Sequence, residues 1–548
     1  MPFEVRGLRS VKAMAAVLCG LFAFAARSAE VVVVAHEPGY YTSLAKHAQH
    51  WLKDQQIPSD LATPAEMQAK LASARLALLI GFTDPSAAEL AQIRAFRERG
   101  GKLVVFYSAS PQLAEMMGVK VLGYKAATVP GQWSRMDFSG GFPEGLPKTI
   151  LQTSSVLQRA APIPGRARVM AVWSDRCGRS TGEAAWISSA AGFWMTHVLL
   201  ADGDERLKAQ LLAALVGSVE PRLWNWKSYS AKARADAAAL GAYARRQIPR
   251  AGEIHAVWDH SGMGLRPGNW NETMRLLQEA RVTDLFVNVA GAGFAHYPSS
   301  VLPRSKTFEQ EGDQLAACLA AAKTRGIRVH AWMLCFNATR AAPGCLQEFA
   351  RRGWRLKTAD GQLSEYLDPA NPAVRAYLLK AIDELAARYP SLAGIHLDFV
   401  RWYERSVRPK NAADVISNFV GEARRHVKRP RWLTTAVLGK YPMCVMSVGQ
   451  DWDSWLAAGL VDYVVPMDYA EDPARFESFL RQHAAVRPHA KKTIVGIGVT
   501  ANESRLTARQ VIDQINLVRR YGFPGVSLFD LDITLEKDVL PYLKLGQW

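Results

Sequence analysis

What most constrains this chain is an alternation of strand and helix that repeats eight times between residues 252 and 532. The strand-like runs are IHAVWD (254–259), TDLFVNVA (283–290), IRVHAWML (327–334), GIHLDFV (394–400), WLTTAVL (432–438), VDYVVPMD (461–468), TIVGIGV (493–499) and GVSLFDLD (525–532). Helical patterns such as NETMRLLQEAR (271–281), GDQLAACLAAAKTRG (312–326) and TARQVIDQINLVRRYG (507–522) lie between them. A short apolar run followed by an amphipathic helix is the unit of a parallel sheet. Eight such units in about 290 residues fit a closed TIM (β/α)8 barrel in both count and length. A doubly wound sheet is the alternative, and the near-regular repeat favours closure. The longest insertion, about 335–380 after strand three, is expected over the barrel mouth.

The first half follows another rhythm. VVVVA (31–35), RLALLIGF (75–82), KLVVFYSA (102–109) and ARVMAVWS (167–174) read as strands, with a helical PSAAELAQIRAFRERG (85–100) between two of them. With the helical run 205–219 they predict an open α/β sandwich over 30–220, similar to the glutamine-amidotransferase-like or flavodoxin-like folds. An amidotransferase would need a Cys in the turn after a central strand. That turn is Tyr107-Ser108-Ala109-Ser110, and no G-x-S-x-G elbow occurs, so this domain is expected to be non-catalytic. An Ala- and Arg-rich helical linker fills 221–250, and the barrel domain takes 251–548.

Residues 1–29 read as an export signal. Arg6, Arg9 and Lys12 precede an apolar core, AMAAVLCGLFAFAA, that is too short to span a bilayer. An exported, periplasmic or extracellular protein with no integral membrane segment after signal removal is therefore expected. The formal net charge is +17, and the chain stays strongly basic without residues 1–29. That favours acidic partners, but no basic cluster or nucleic-acid motif stands out, so an anionic glycan fits better than nucleic acid. The five cysteines beyond the signal, Cys177, Cys318, Cys335, Cys345 and Cys444, match no zinc spacing. A Cys335–Cys345 disulfide is conceivable. No cofactor or metal is expected.

Barrel active sites are assembled from C-terminal strand ends. Here those ends carry Asp259 and His260 (strand one), Asn288 followed by His296, Tyr297 and Ser299 (strand two), His330, Trp332 and Asn337 (strand three), and Asp398 with Arg401, Trp402 and Tyr403 (strand four). Strand six ends in Asp468, Tyr469 and Glu471, and strand eight in Asp530 and Asp532, which fit equally as caps of the last helix. Two carboxyls facing each other across a mouth are what glycosidic cleavage requires, and aromatic rings stack on sugar faces.

The barrel half resembles glycosyl hydrolase-like family ten, the YngK-type bacterial glycosidases. The resemblance rests on Tyr297-Pro298-Ser299, RGIRVHAWMLCFN (325–337), Trp354 with YLDPANPAVRAYL (366–378), GIHLDFVRW (394–402) and QDWDSWLAAGLVDYVVPMDY (450–469), and it covers about 253–535. The family's usual Arg-Tyr-Pro after strand four is Arg401-Trp402-Tyr403 here. The resemblance implies a glycoside hydrolase acting on a poly- or oligosaccharide, with cell-wall glycans among the candidates. It places the nucleophile or charge stabiliser at Asp398, held ionised by Arg401, and the general acid at Asp468. Asp259, Asn288, Tyr297, His330, Trp332, Asn337, Arg401, Trp402, Tyr469 and Glu471 are the expected substrate contacts. A carbohydrate-binding protein that has lost turnover is the competing expectation.

Overall fold

A computed structural model of the chain describes residues 29–548, except 130, 176–177, 202–203, 267, 486–488 and 547. The expected export signal, up to residue 28, and Cys177 lie outside the described residues. The chain divides into a unit ending at Ser230 and another beginning at Ala231, within the connector helix Trp226–Arg245.

The second unit is a closed parallel barrel. Its strands are Ile254–Asp259, Asp284–Gly291, Arg328–Leu334, Gly394–Asp398, Trp432–Leu438, Tyr463–Met467, Val495–Gly498 and Gly525–Phe529. Each pairs in parallel with the next, and the first pairs with the eighth. Alternation along each strand divides side chains between two layers. On strand four, Ile395 and Leu397 join the core under the helices. His396 turns inward, stacking on Phe286 at 4.2 Å and accepting from the Trp258 indole at 3.0 Å. Trp258, Phe286, Trp332 and Val465 fill the interior, so the barrel is a packed core and not a pore.

Strands four, six and eight end earlier than their apolar runs. Phe399 leaves strand four with φ 52, a left-handed turn that breaks the ladder directly after Asp398. The insertion after strand three forms helix Pro343–Arg351 and the hairpin Arg355–Lys357/Leu363–Leu367. Tyr366 of that hairpin stacks on Tyr403 at 4.1 Å, so the insertion supports the strand-four loop at the rim.

The first unit holds a nine-stranded sheet. Ser59–Ala62, Val31–Ala35, Leu76–Ile80, Lys102–Phe106 and Gly192–Met195 run parallel in that spatial order. Ser180–Ser189, Ala167–Ser174, Trp133–Phe138 and Thr149–Ser154 continue it antiparallel. The expected α/β region is present, and the antiparallel half extends it. Segments such as WSRMDF and TILQTS bury half of their positions or fewer, so they lack the continuous apolar signal of the parallel strands.

Cys318, Cys335, Cys345 and Cys444 are free thiols, so Cys335 and Cys345 are not bridged. Among the described residues no helix is long and apolar enough to cross a membrane.

Candidate active site

Asp398 closes strand four on its inward face, 4% exposed. One carboxylate oxygen accepts the backbone N–H of Phe399 at 2.6 Å. Burial pushes the carboxyl above its ordinary range, and Arg401, the Phe399 amide and the Trp332 indole offset that in part. Arg401 is the largest of these offsets, acting in the expected direction against burial. Its guanidinium pairs with Glu404 at 3.3 Å and lies 4.2 Å over the Phe399 ring.

Around Asp398 several buried polar atoms have no partner. Both amide atoms of Asn288, the Trp332 Nε1 and the Arg401 Nη1 are in this state. The strand register sets them side by side, with Asn288 opposite Trp332 and Leu334 opposite Asp398. The Trp332 indole favours the charge on Asp398 without a hydrogen bond of regular geometry. A buried polar atom without a partner costs about 1–3 kcal/mol, so such a group of them marks a place where ligand atoms can complete the bonding. Tyr469 crosses the same space. Its ring stacks on Phe529 at 5.5 Å and meets Trp258 edge-on. Burial raises its phenol pKa well above the ordinary value, with Asp398 the strongest charged neighbour and Asp530 the next.

Asp530 is the carboxyl that sequence reasoning left as a helix cap. It follows Phe529 at the end of strand eight and accepts the backbone N–H of His260 at 3.0 Å and of Leu531 at 2.7 Å. The residue keeps some surface to solvent, yet its carboxyl is pushed up to about 8. Burial is the main cause, with Asp259 and Asp532 adding like-charge repulsion and the His260 amide opposing. His260 is exposed beside it, its ring 5.7 Å from Trp332 and 6.1 Å from Phe529. The signal available in the sequence was position: Asp530 ends a barrel strand, as Asp398 does.

Several expected contacts lie elsewhere. Asp468 is fully buried, and both its oxygens face His483 Nε2, at 2.9 and 3.1 Å. His483 belongs to the outer helix Pro473–Ala485, so Asp468 points into the layer between barrel and helices. Strand alternation explains the correction: Val464 faces that helix layer and Val465 the interior, which turns Asp468 out and Tyr469 in. Tyr297 donates to Glu384 of helix Pro372–Arg388 at 3.1 Å, on the same outer layer. His330 sits near the start of strand three, its Nε2 2.8 Å from Asp284, which also takes Arg328 at 2.7 Å; this is the closed end of the barrel. Trp402 is buried and donates to the Ala412 carbonyl at 3.3 Å.

Three further polar groups near the rim are committed to local turns. Asp259 accepts Ser261 Oγ at 2.6 Å and the N–H groups of Gly262 and Gly264 at 3.2 and 2.9 Å. Asn337 Oδ1 accepts the N–H and hydroxyl of Thr339. Glu471 accepts the Arg505 N–H at 2.8 Å, pinning the hairpin after strand seven. The structure thus brings Asp398, Asn288, Trp332, Arg401 and Tyr469 together and adds Asp530. Among the described residues no group of three or more His, Cys, Asp or Glu side chains could hold a metal ion.

Residues 254–415, spanning barrel strands one to four, match the family model described as Glycosyl hydrolase-like 10. That match agrees with the motif resemblance over the first half of the barrel. Similar solved structures include the PgaB (BpsB) glycoside hydrolase domain of Bordetella bronchiseptica, at 14% identity and TM-score 0.42, covering 53% of this chain and 98% of that one. A family GH18 chitinase from Cycas revoluta in complex with allosamidin matches at 12% identity and TM-score 0.37, covering 54% and 99%. Alpha-L-fucosidase isoenzyme 2 of Paenibacillus thiaminolyticus matches at 13% identity and TM-score 0.39, covering 54% and 48%. No curated protein matches the chain.

Proposed function

We propose that the protein is an exported glycoside hydrolase that cleaves O-glycosidic bonds of a polysaccharide, with Asp398 and Asp530 as its carboxyl pair. The observation that carries this reading is the Tyr469 phenol, whose two strongest charged neighbours are these two carboxyls at the mouth. Their surroundings differ in sign. Asp398 has a guanidinium beside it, whereas Asp530 has two further carboxylates, Asp259 and Asp532. A group protonated up to about pH 8 can give a proton to a leaving glycosidic oxygen at neutral pH, so Asp530 is the general acid. Asp398, with Arg401 and the Phe399 amide on its charged form, is the nucleophile, base or charge stabiliser on the other side of the sugar. Asn288, Trp332 and Arg401 offer the unpartnered polar atoms that orient the sugar. The net charge of +17 supports an anionic glycan, and the basic and apolar start of the chain supports export.

The test is release of new reducing ends from peptidoglycan and a panel of polysaccharides by the full chain. We expect cleavage of at least one glycan by the wild type and none above background by Asp398→Asn. Equal binding and no cleavage by both proteins would instead make it a carbohydrate-binding protein.

A further inference from the structure

A second set of residues, in the first unit, is built for a ligand that the barrel chemistry does not explain. Three adjacent parallel strands end together there, with Ala35, Ile80 and Phe106 in register. In open α/β sheets the space beyond such strand ends is where ligands bind. Here it is lined by tyrosines. Tyr40 and Tyr41 open the helix after the first strand, their rings 5.6 Å apart. Tyr41 lies flat against Gly81, where a Cβ would come within 2.6 Å of the ring, so a bare glycine is needed to seat it. Tyr107 leaves the third strand with φ 49, in the left-handed region that bulky residues avoid. Its ring meets His197 edge-on at 5.7 Å.

Exposure and charge define what this surface can hold. Tyr40 and Tyr124 are each 61% exposed, and among the described residues they are the aromatic side chains that stand out as exposed large hydrophobics. The phenols influencing Tyr107 are Tyr41, Tyr124 and Tyr40, and the one carboxylate acting on Tyr41 is Glu37. That carboxylate disfavours a phosphate or an acidic peptide at this spot. Flat rings with hydroxyl tips suit a ligand with apolar C–H faces and many hydroxyls, which is a pyranose chain. The left-handed backbone at Tyr107 fits the same end, since such strain persists where a side chain has work at a site.

We propose that Tyr40, Tyr41, Tyr107 and Tyr124 form a second glycan-binding site, a stacking platform for a neutral stretch of polysaccharide outside the barrel. The choice of a glycan rests on the hydrolase reading of the barrel, but binding at the platform needs no turnover. A chain held at two places is retained far longer than at either alone.

The full-length protein is tested for co-sedimentation with insoluble chitin, cellulose and peptidoglycan sacculi, alongside Tyr40→Ala/Tyr124→Ala and, as a barrel control, Asn288→Ala. Both tyrosines are exposed, so folding is unaffected. The double variant is expected to lose retention on the bound polymer by about tenfold or more, with unchanged reducing-end release from a short soluble oligosaccharide. Retention equal to wild type, retention lost only in Asn288→Ala, or no retention of the wild type on any of the three polymers would overturn the proposal. Retention through the tyrosines with no cleavage of any glycan would leave the platform standing and remove the hydrolase reading.

Discussion

The barrel mouth and the strand ends of the first unit are two versions of one device. In each, parallel strands stop at a common edge, and an aromatic residue in left-handed backbone carries the chain away: Phe399 at φ 52 and Tyr107 at φ 49. Each of these conformations costs on the order of 1–2 kcal/mol for a residue other than glycine. The difference lies in closure. The barrel curls its strand ends round a packed interior, so Asp398 is left with 4% of its surface and Asp530 with a carboxyl raised to about 8. The open sheet leaves Tyr40 and Tyr124 at 61% exposure, where rings can stack. Closure makes proton chemistry possible; openness makes a binding face.

The strongest way to break this comparison is to remove the carboxyls. Asp398→Asn and Asp530→Asn are each expected to lower kcat by about 10²- to 10⁴-fold in reducing-end assays, with circular dichroism unchanged. A smaller loss from either would mean that burial at the mouth serves no chemistry.

Asp468 sharpens the contrast from inside the same barrel, since it is buried without facing the mouth. Asp468→Ala leaves His483 without its partner in the helix layer and should destabilise the barrel by about 3–5 kcal/mol, read from its denaturant transition. Next comes Asn288. Replacing it with Leu removes a buried amide that has no partner, so the free barrel should gain about 1–3 kcal/mol while glycan affinity falls. A destabilised Asn288→Leu protein would show that the amide is satisfied in the fold and not reserved for ligand.

The last contrast is a pH dependence of stability. The Asp530 carboxyl titrates near 8 in the folded chain, against an ordinary 3.8. Between those values the unfolded chain ionises while the folded chain stays protonated, so the raised pKa costs stability as pH rises from about 4 to about 8, and the cost then levels off. Asp530→Asn should therefore melt progressively above wild type across that window, and equally with it below about pH 4.

The barrel was legible because eight apolar runs recur with helices between them, and all eight strands begin within two residues of expectation. Asp398 was legible for the same reason, as an inward polar residue at a strand end. Asp468 was misread because one residue decides which layer a strand-end side chain enters. Strand six ends at Met467, and the next two positions point to opposite layers. Tyr297 and His330 were misread because motif position gives order along the chain, and not whether a side chain faces mouth, closed end or helix layer. Asp530 was passed over because Asp532 and the helix behind it offered a sufficient capping role; the repulsion from Asp259, a residue 271 positions earlier, exists only once strands one and eight are joined. Of the antiparallel strands of the first unit, Ala167–Ser174 was legible as an apolar run, whereas Trp133–Phe138 and Thr149–Ser154 were missed because their half-polar composition gives no continuous apolar run.

The central claim is that the proton donor is Asp530 at the mouth and not Asp468 behind it. It is tested most directly by the pH–rate profile of cleavage for wild type, Asp530→Asn and Asp468→Asn, corrected for the folded fraction. The account predicts a wild-type rate that falls as pH rises through about 8, the same falling limb in Asp468→Asn, and its absence from the residual rate of Asp530→Asn. A limb that survives in Asp530→Asn and vanishes in Asp468→Asn would contradict it.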